Sequence, residues 1–372
     1  MKVVIDALVP PNQPRGVANY ATHLIQGISK LDHENEYVIF YGDWMKGSPL
    51  LDINEPNFSY VEFKIPTDKI RRNFYKCFIL PNKAKKLGAD VFHVVDTSPL
   101  VYRGCKMVST IHDLLEFWMP DKYGRLVSWI RRTYVPKQIK VSDAVLTVSE
   151  YSKKTMIERL GVPENKITVT YNGIGIQDDG VTEVVPYEER THFVSVAALE
   201  KGKNVISLVR AYGKLPEEVR EKYSLKLIGP ERTEYDEILQ EIEKNGIGSQ
   251  VEICGHKDGN YVADSIRHAI ALVFPSLYEG FGMPVAEGFF HNTPVISSNA
   301  TCLPEICGGA ALMFEPEDVD MLAKHMMSLV NDKDLWEQHR RAGKERVKAF
   351  SWEDSCAKTI EVYRGLVNDG TK

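Results

Sequence analysis

The stretch Ser276-Leu277-Tyr278-Glu279-Gly280-Phe281-Gly282-Met283-Pro284-Val285-Ala286-Glu287-Gly288 sets two carboxylates around a glycine-broken turn that opens a helix. The apolar run 271–274 ahead of it reads as a buried strand. Pro284 falls in the first helical turn, where an amide proton has no partner to lose. The local order is therefore strand, loop, helix. Gly280 and Gly282 let the backbone come close to a ligand, and amides at a helix start lack acceptors, so the turn suits a phosphate or a sugar oxygen. Glu279 in the loop, and Glu287 about one turn past Pro284, can each accept hydrogen bonds from a pair of neighbouring hydroxyls, as a sugar or a ribose offers. Taken alone, the same residues fit a solvated helix start with acids placed to suit its dipole.

Working outward, strand-like apolar runs at 3–8, 37–41, 91–95, 107–111, 144–148 and 167–170 alternate with amphipathic stretches, which predicts parallel sheets flanked by helices. A polar segment, 177–189, interrupts the rhythm. It restarts at 193–197 and continues through 225–228, 251–254, 271–274, 295–297 and 311–314. The chain of 372 residues is long for one core, so the reading is α/β with two doubly wound parallel-sheet domains, 1–180 and 181–351. Two such sheets facing a central cleft bind ligands at their strand ends.

Composition narrows the function classes. Hydrophobic and charged fractions of 43% and 26% are those of an ordinary globular protein and argue against disorder. The opening Met-Lys-Val-Val-Ile-Asp-Ala-Leu meets an acid after a few apolar residues and reads as a first strand, not a signal peptide. No apolar run approaches the ~20 residues of a membrane span, so a cytoplasmic location is expected. The cysteines at 77, 105, 254, 302, 307 and 356 form no C-x-x-C pair, so no structural metal is expected. Asp332-Lys333-Asp334 is a literal D-x-D, but it opens a late helix, where capping explains it.

The spacing from Glu279 to Glu287 resembles the E-x7-E motif of the retaining glycosyltransferases of family 4, which have the GT-B fold of two Rossmann-like domains. Further segments match in order: Thr-Ile-His-Asp at 110–113, Thr-Val-Ser-Glu-Tyr-Ser at 147–152, Val-Thr-Tyr-Asn-Gly-Ile at 169–174 and Thr-Pro-Val-Ile-Ser-Ser at 293–298. The likeness covers nearly the whole chain. It implies an N-terminal acceptor domain, a C-terminal donor domain, and a helix over about 352–372 that crosses back onto the first. The implied co-substrate is a nucleotide diphosphate sugar of GDP-mannose or UDP-glucose type; no cofactor or metal is implied.

The resemblance also assigns roles. Glu279 holds sugar hydroxyls and Glu287 the ribose diol, while Lys203 and the amides of Gly280, Phe281 and Gly282, with Met283 beside them, face the diphosphate. His112 lies near the 6-position of the donor sugar, with Asp113 orienting its loop. The glycine loop after the first strand, closing at Gly16 onto a helix, faces the diphosphate and acceptor, which adds Gly16 and Arg15. The full fingerprint G-x-G-x-x-G is absent there, which speaks against a nicotinamide enzyme. Relatives retain configuration by a front-face route in which the departing phosphate helps deprotonate the acceptor.

One segment departs from the family. Where relatives carry an arginine and then a lysine, this chain reads Ala197-Ala198-Leu199-Glu200-Lys201-Gly202-Lys203, with Ala198 at the usual arginine position and Gly202 where one subgroup keeps it. Lys201 is a candidate replacement, although a point charge is no planar fork. A catalytically impaired sugar-nucleotide sensor or partner subunit is therefore the alternative reading. A glycoside hydrolase using Glu279 and Glu287 as acid and base is a second.

Charge points to the acceptor. Residues 1–180 hold 24 Lys and Arg against 20 Asp and Glu, whereas the whole chain is at −5. The excess gathers around Lys69, Arg71, Arg72, Lys76, Lys83, Lys85 and Lys86, and around Arg125, Arg131, Arg132, Lys137 and Lys140, with Phe74, Trp129 and Tyr134 interleaved. Such a surface suits anionic lipid headgroups and a glycan or lipid-linked acceptor presented at the inner membrane face. A solvated basic face explains the same residues. A pI near 6.1 and the lack of an aromatic RNA motif exclude nucleic acid as the partner.

Overall fold

The computed structural model describes residues 1–9, 15–65, 71, 74–98, 104–118, 125–174 and 184–368, the side chains of Arg15 and of 125–128 excepted. The chain divides into two compact units, Met1–Gly175 with Ser351–Lys372, and Ile176–Phe350.

In the first unit the strands are β1 (Lys2–Asp6), β2 (Glu36–Gly42), β3 (Phe58–Phe63), β4 (Val91–Val94), β5 (Lys106–Ile111), β6 (Ala144–Thr147) and β7 (Ile167–Val169). They form one sheet among the described residues, in the order β3-β2-β1-β4-β5-β6-β7 and parallel throughout. Strands β1, β4 and β6 are buried almost end to end, as the continuous apolar runs of a sheet covered on both faces require. β3 has no counterpart among the runs read from sequence. It is an edge strand paired on one side only, half-buried and broken by Ser59 and Glu62, so it lacks an apolar run.

The second unit holds β8 (His192–Val196), β9 (Ser224–Ile228), β10 (Val251–Gly255), β11 (Ala269–Phe274), β12 (Val295–Ser298) and β13 (Leu312–Phe314), in the order β10-β9-β8-β11-β12-β13 and again parallel. Both sheets are doubly wound. The order reverses between β1 and β4 in one and between β8 and β11 in the other, and the carboxyl ends of those strands are where an open sheet leaves a crevice.

The helix Trp352–Asn368 packs in the first unit. Cys356 Sγ donates to the carbonyl of Leu24 at 3.4 Å, on the first helix Arg15–Leu31. Near its end, Tyr363 shares a 2.6 Å hydrogen bond with His93 Nδ1 on β4, and His93 Nε2 meets Thr110 Oγ1 on β5 at 2.8 Å. Thr110 is in turn 3.2 Å from the hydroxyl of Tyr20. Burial pushes the His93 imidazolium pKa down to about 3, so the ring is neutral near pH 7 and both nitrogens depend on these neighbours.

Tyr363→Phe leaves one buried nitrogen of His93 unpaired and is expected to cost about 1–2 kcal/mol of stability. The check is the urea midpoint followed by far-ultraviolet circular dichroism; an unchanged midpoint contradicts it.

Candidate functional site

Lys203 and Glu279 come from different strands of the second unit. Lys203 ends the short 3-10 turn Lys201–Lys203 that follows β8, and Glu279 lies in the loop after β11, across the switch point. The two loops are stitched together through the backbone: the carbonyl of Gly202 accepts from Ser276 Oγ at 3.0 Å and from the amide of Leu277 at 2.9 Å. With the loops so placed, Lys203 Nζ donates to Glu279 Oε1 at 2.6 Å, and Ser276 Oγ donates to the same oxygen at 2.5 Å. The amide of Glu279 donates to Thr301 Oγ1 at 3.0 Å, and Cys302 Sγ lies 3.3 Å from the carbonyls of both Glu279 and Phe281. The carboxylate is thus fixed at its tip and at its backbone.

The glycine turn has its own steric reason. Gly282 has φ +95°, and an added Cβ there would come within 2.7 Å of Leu303 Cδ2. It caps the helix Met283–Phe290, which begins with a half-buried Met283 and carries Pro284 in its first turn. Among the described residues the amides of Gly280 and Gly282 have no acceptor, which leaves donors for an oxyanion. Phe281 turns its ring inward, edge-on to Phe350 at 5.3 Å.

Glu287 is half-buried on that helix and has no hydrogen-bond or ion-pair partner among the described residues. Desolvation alone pushes its carboxyl pKa up from 4.5 to about 7. A ligand that brings hydroxyl donors stabilises the ionised form.

In the first unit, His112 stands at the carboxyl end of β5. Its Nε2–H donates to the carbonyl of Val95 at 2.8 Å, and the edge of Tyr20 abuts its ring at 4.7 Å. A carbonyl only accepts, so in the neutral ring Nε2 carries the proton and Nδ1 is left as an acceptor, suited to a hydroxyl. Asp113 turns its carboxylate onto the amide of Leu115 at 3.1 Å, at the start of the short helix Leu115–Trp118.

Other expected residues fall differently. The first helix already begins at Arg15, so Gly16 lies within its first turn and does not close a loop; it is exposed, with nothing within 4 Å of an added Cβ. The Arg15 side chain lies outside the described residues. Lys201 is exposed, and it is Lys203 that reaches Glu279. Asp332 of the D-x-D caps the helix Lys333–Arg346, accepting from the amide of Leu335 at 2.9 Å. The six cysteines are all free thiols. Sequence reasoning gave no role to Ser276, Thr301 or Cys302. Ser276 opens the quoted stretch, yet its contact with the Gly202 carbonyl spans 74 positions and leaves no local pattern.

The sequence pattern described as "Glycosyl transferases group 1" matches residues 181–346, and that of "Glycosyltransferase Family 4" matches 14–178. The O-antigen chain mannosyltransferase B of Escherichia coli is 30% identical over 282 residues, covering 72% of each chain. The chain belongs to glycosyltransferase family 4. Among solved structures, sucrose-phosphate synthase from Thermosynechococcus elongatus superposes with a TM-score of 0.76 at 19% identity, over 99% of both chains. HepE from Anabaena, in complex with UDP, gives 0.71 at 14% identity over 98% of this chain and 99% of that one. Identities this low speak for the fold alone, and the fold is that of the GT-B glycosyltransferases.

For this glycosyltransferase the raised Glu287 pKa fixes a sign. Between about pH 4.5 and 7 the folded chain holds a proton there that the unfolded chain has released, so this group subtracts stability as pH rises through that window. Glu287→Gln is expected to raise the unligated stability by ~1–3 kcal/mol at pH 8 and to leave it unchanged at pH 4. Thermal melts at the two values test this; equal shifts at both contradict it.

Proposed function

We propose that this glycosyltransferase moves a hexose, mannose from GDP-mannose in the favoured reading or glucose from UDP-glucose, onto a glycan or lipid-linked glycan in surface polysaccharide synthesis. Configuration at C1 is retained and no metal takes part. The observation that carries this reading is the Lys203–Glu279–Ser276 constellation beside the unpaired amides of Gly280 and Gly282. The 30% identity to an O-antigen chain mannosyltransferase supports mannose and a glycan acceptor.

In the reaction the bond from C1 to the leaving phosphate stretches while negative charge gathers on the diphosphate and the ring approaches an oxocarbenium ion. Fixed donors aimed at those oxygens lower the barrier most. Lys203 and the two glycine amides supply them in this reading, with Glu279 holding sugar hydroxyls and Glu287 the ribose diol. The departing phosphate oxygen takes the acceptor proton on the same face, so no protein nucleophile is required. His112 Nδ1 accepts from a sugar hydroxyl. In the unligated chain Lys203 rests on Glu279, so the donor exchanges one salt bridge for contacts to diphosphate and sugar.

The first unit takes the acceptor in this reading. Its basic helices support docking to an anionic inner membrane face, and no helix of the described residues is long and apolar enough to cross one.

Incubated with GDP-mannose or UDP-glucose and mannose-terminated oligosaccharides, the protein is expected to release nucleoside diphosphate in the presence of EDTA, with an axial anomeric linkage by NMR. Lys203→Ala is expected to lower kcat/KM by about 10²–10³-fold. Donor binding without turnover on any acceptor would instead favour a sensor.

A further inference from the structure

Among the described residues, three that are not glycine have a positive φ: Asn204 at +53°, Asn292 at +58° and Thr301 at +52°. Asparagine enters this left-handed region at modest cost. A β-branched residue does not, because Cβ crowds the next carbonyl oxygen and the second branch leaves it little room to turn away. Thr301 is therefore the residue whose backbone needs a reason. Strained positions of this kind persist only where the surroundings over-determine them, and they gather at functional sites.

Two of the three bear on one loop. Asn204 directly follows Lys203, and its side-chain amide donates to the carbonyl of Pro275 at 3.1 Å. Thr301 lies between β12 and the helix Leu303–Cys307, and its hydroxyl meets both backbone groups of Glu279. It accepts from the amide at 3.0 Å and donates to the carbonyl at 3.2 Å, so its one proton and one of its lone pairs are both used. Ser298, the last residue of β12, donates from Oγ to the carbonyl of Ser276 at 2.5 Å. The end of β12 and the turn after it thus hold the loop after β11 on one side, as the carbonyl of Gly202 holds it on the other.

The strain and the contact come from different atoms of Thr301. Cβ and its branch carry the strain, whereas Oγ1 carries the contact with Glu279. Glycine at 301 would take the same backbone at less cost and would lack the hydroxyl. What threonine adds is one oxygen that fixes Glu279 at its backbone while Lys203 and Ser276 fix its tip.

We infer that Thr301 is a positioning residue for hexose transfer: its hydroxyl sets the direction in which Glu279 presents its carboxylate to the donor sugar, and the chain keeps a strained backbone at 301 to retain that hydroxyl. The inference rests on the proposed role of Glu279 and adds to it a residue that acts through Glu279. Stability and transfer then answer to different parts of one side chain. A residue with a merely structural role would move both together.

The full chain is compared with Thr301→Gly, Thr301→Ala and Thr301→Ser by thermal melting and by release of nucleoside diphosphate from GDP-mannose or UDP-glucose. Thr301→Gly is expected to melt above Thr301→Ala by about 2 °C or more, because only glycine relieves the strain. Both lack the hydroxyl, so both are expected to lose about 10–100-fold in kcat, with the donor KM within about 3-fold of the parent. Thr301→Ser is expected to restore kcat to within about 3-fold. In single turnovers, Thr301→Ala added to Glu279→Gln is expected to lower transfer by less than about 2-fold further, since the two act as a unit. The inference is overturned if kcat follows the melting temperature across the series, if Thr301→Ser is as impaired as Thr301→Ala, or if the losses at 279 and 301 multiply. A parent that turns over donor and is matched by Thr301→Ala sinks this inference alone; a parent that turns over no donor sinks the proposed function and this inference with it.

Discussion

The carbonyl of Gly202 is the point on which the donor side of this protein depends. It belongs to the loop after β8, yet it accepts two of the hydrogen bonds that place the loop after β11, one from the Ser276 hydroxyl and one from the Leu277 amide. With the loops so joined, Lys203 and Glu279 stand 2.6 Å apart. The pair sits where the sheet order reverses, the one edge position at which neighbouring helices diverge and leave room for a ligand. No guanidinium stands at 198 or 202, and the cation that reaches Glu279 is Lys203.

Two carboxylates on one motif end in different electrostatic states. Glu279 is met by an ammonium, a hydroxyl and a clamped backbone, so its charge is compensated before any ligand arrives. Glu287 is half-buried with no side-chain partner among the described residues, and desolvation pushes its carboxyl pKa up to about 7. The helix tolerates that cost because the group can remain protonated, and a ligand with paired hydroxyls removes the cost by binding. At Glu287 stability and recognition therefore oppose each other, and at Glu279 a resting salt bridge is already in place. In the first unit the chain Tyr363, His93, Thr110 and Tyr20 uses buried polar groups differently: each has a partner, and together they fasten the last helix to the middle of the sheet and set Tyr20 against the His112 ring.

Much of this was legible beforehand. Alternating apolar runs gave every strand that is buried on both faces, because burial on both faces forces an unbroken apolar stretch. They did not give β3, whose outer edge meets no strand among the described residues and whose sequence is mixed accordingly. The turn at Gly282 was legible for a comparable reason, since φ +95° beside Leu303 admits only glycine. Gly16 illustrates the opposite: a glycine after a strand reads as a loop, but here it lies inside a helix with open space around it.

The sequence by itself determined two parallel α/β units, the strand-loop-helix that carries Glu279 and Glu287, and the excess of basic residues in the first half, because each is written in local periodicity, spacing or composition. Tertiary structure alone decided that Ser276 and Gly202 meet, that Thr301 and Cys302 brace the glutamate, that His93 reaches Tyr363 across 270 positions, and that Lys76 is buried while Phe74 is not. The physical reason is that strand order and the faces of crossover helices place these groups together, and neither is encoded by the neighbours of a residue in the chain.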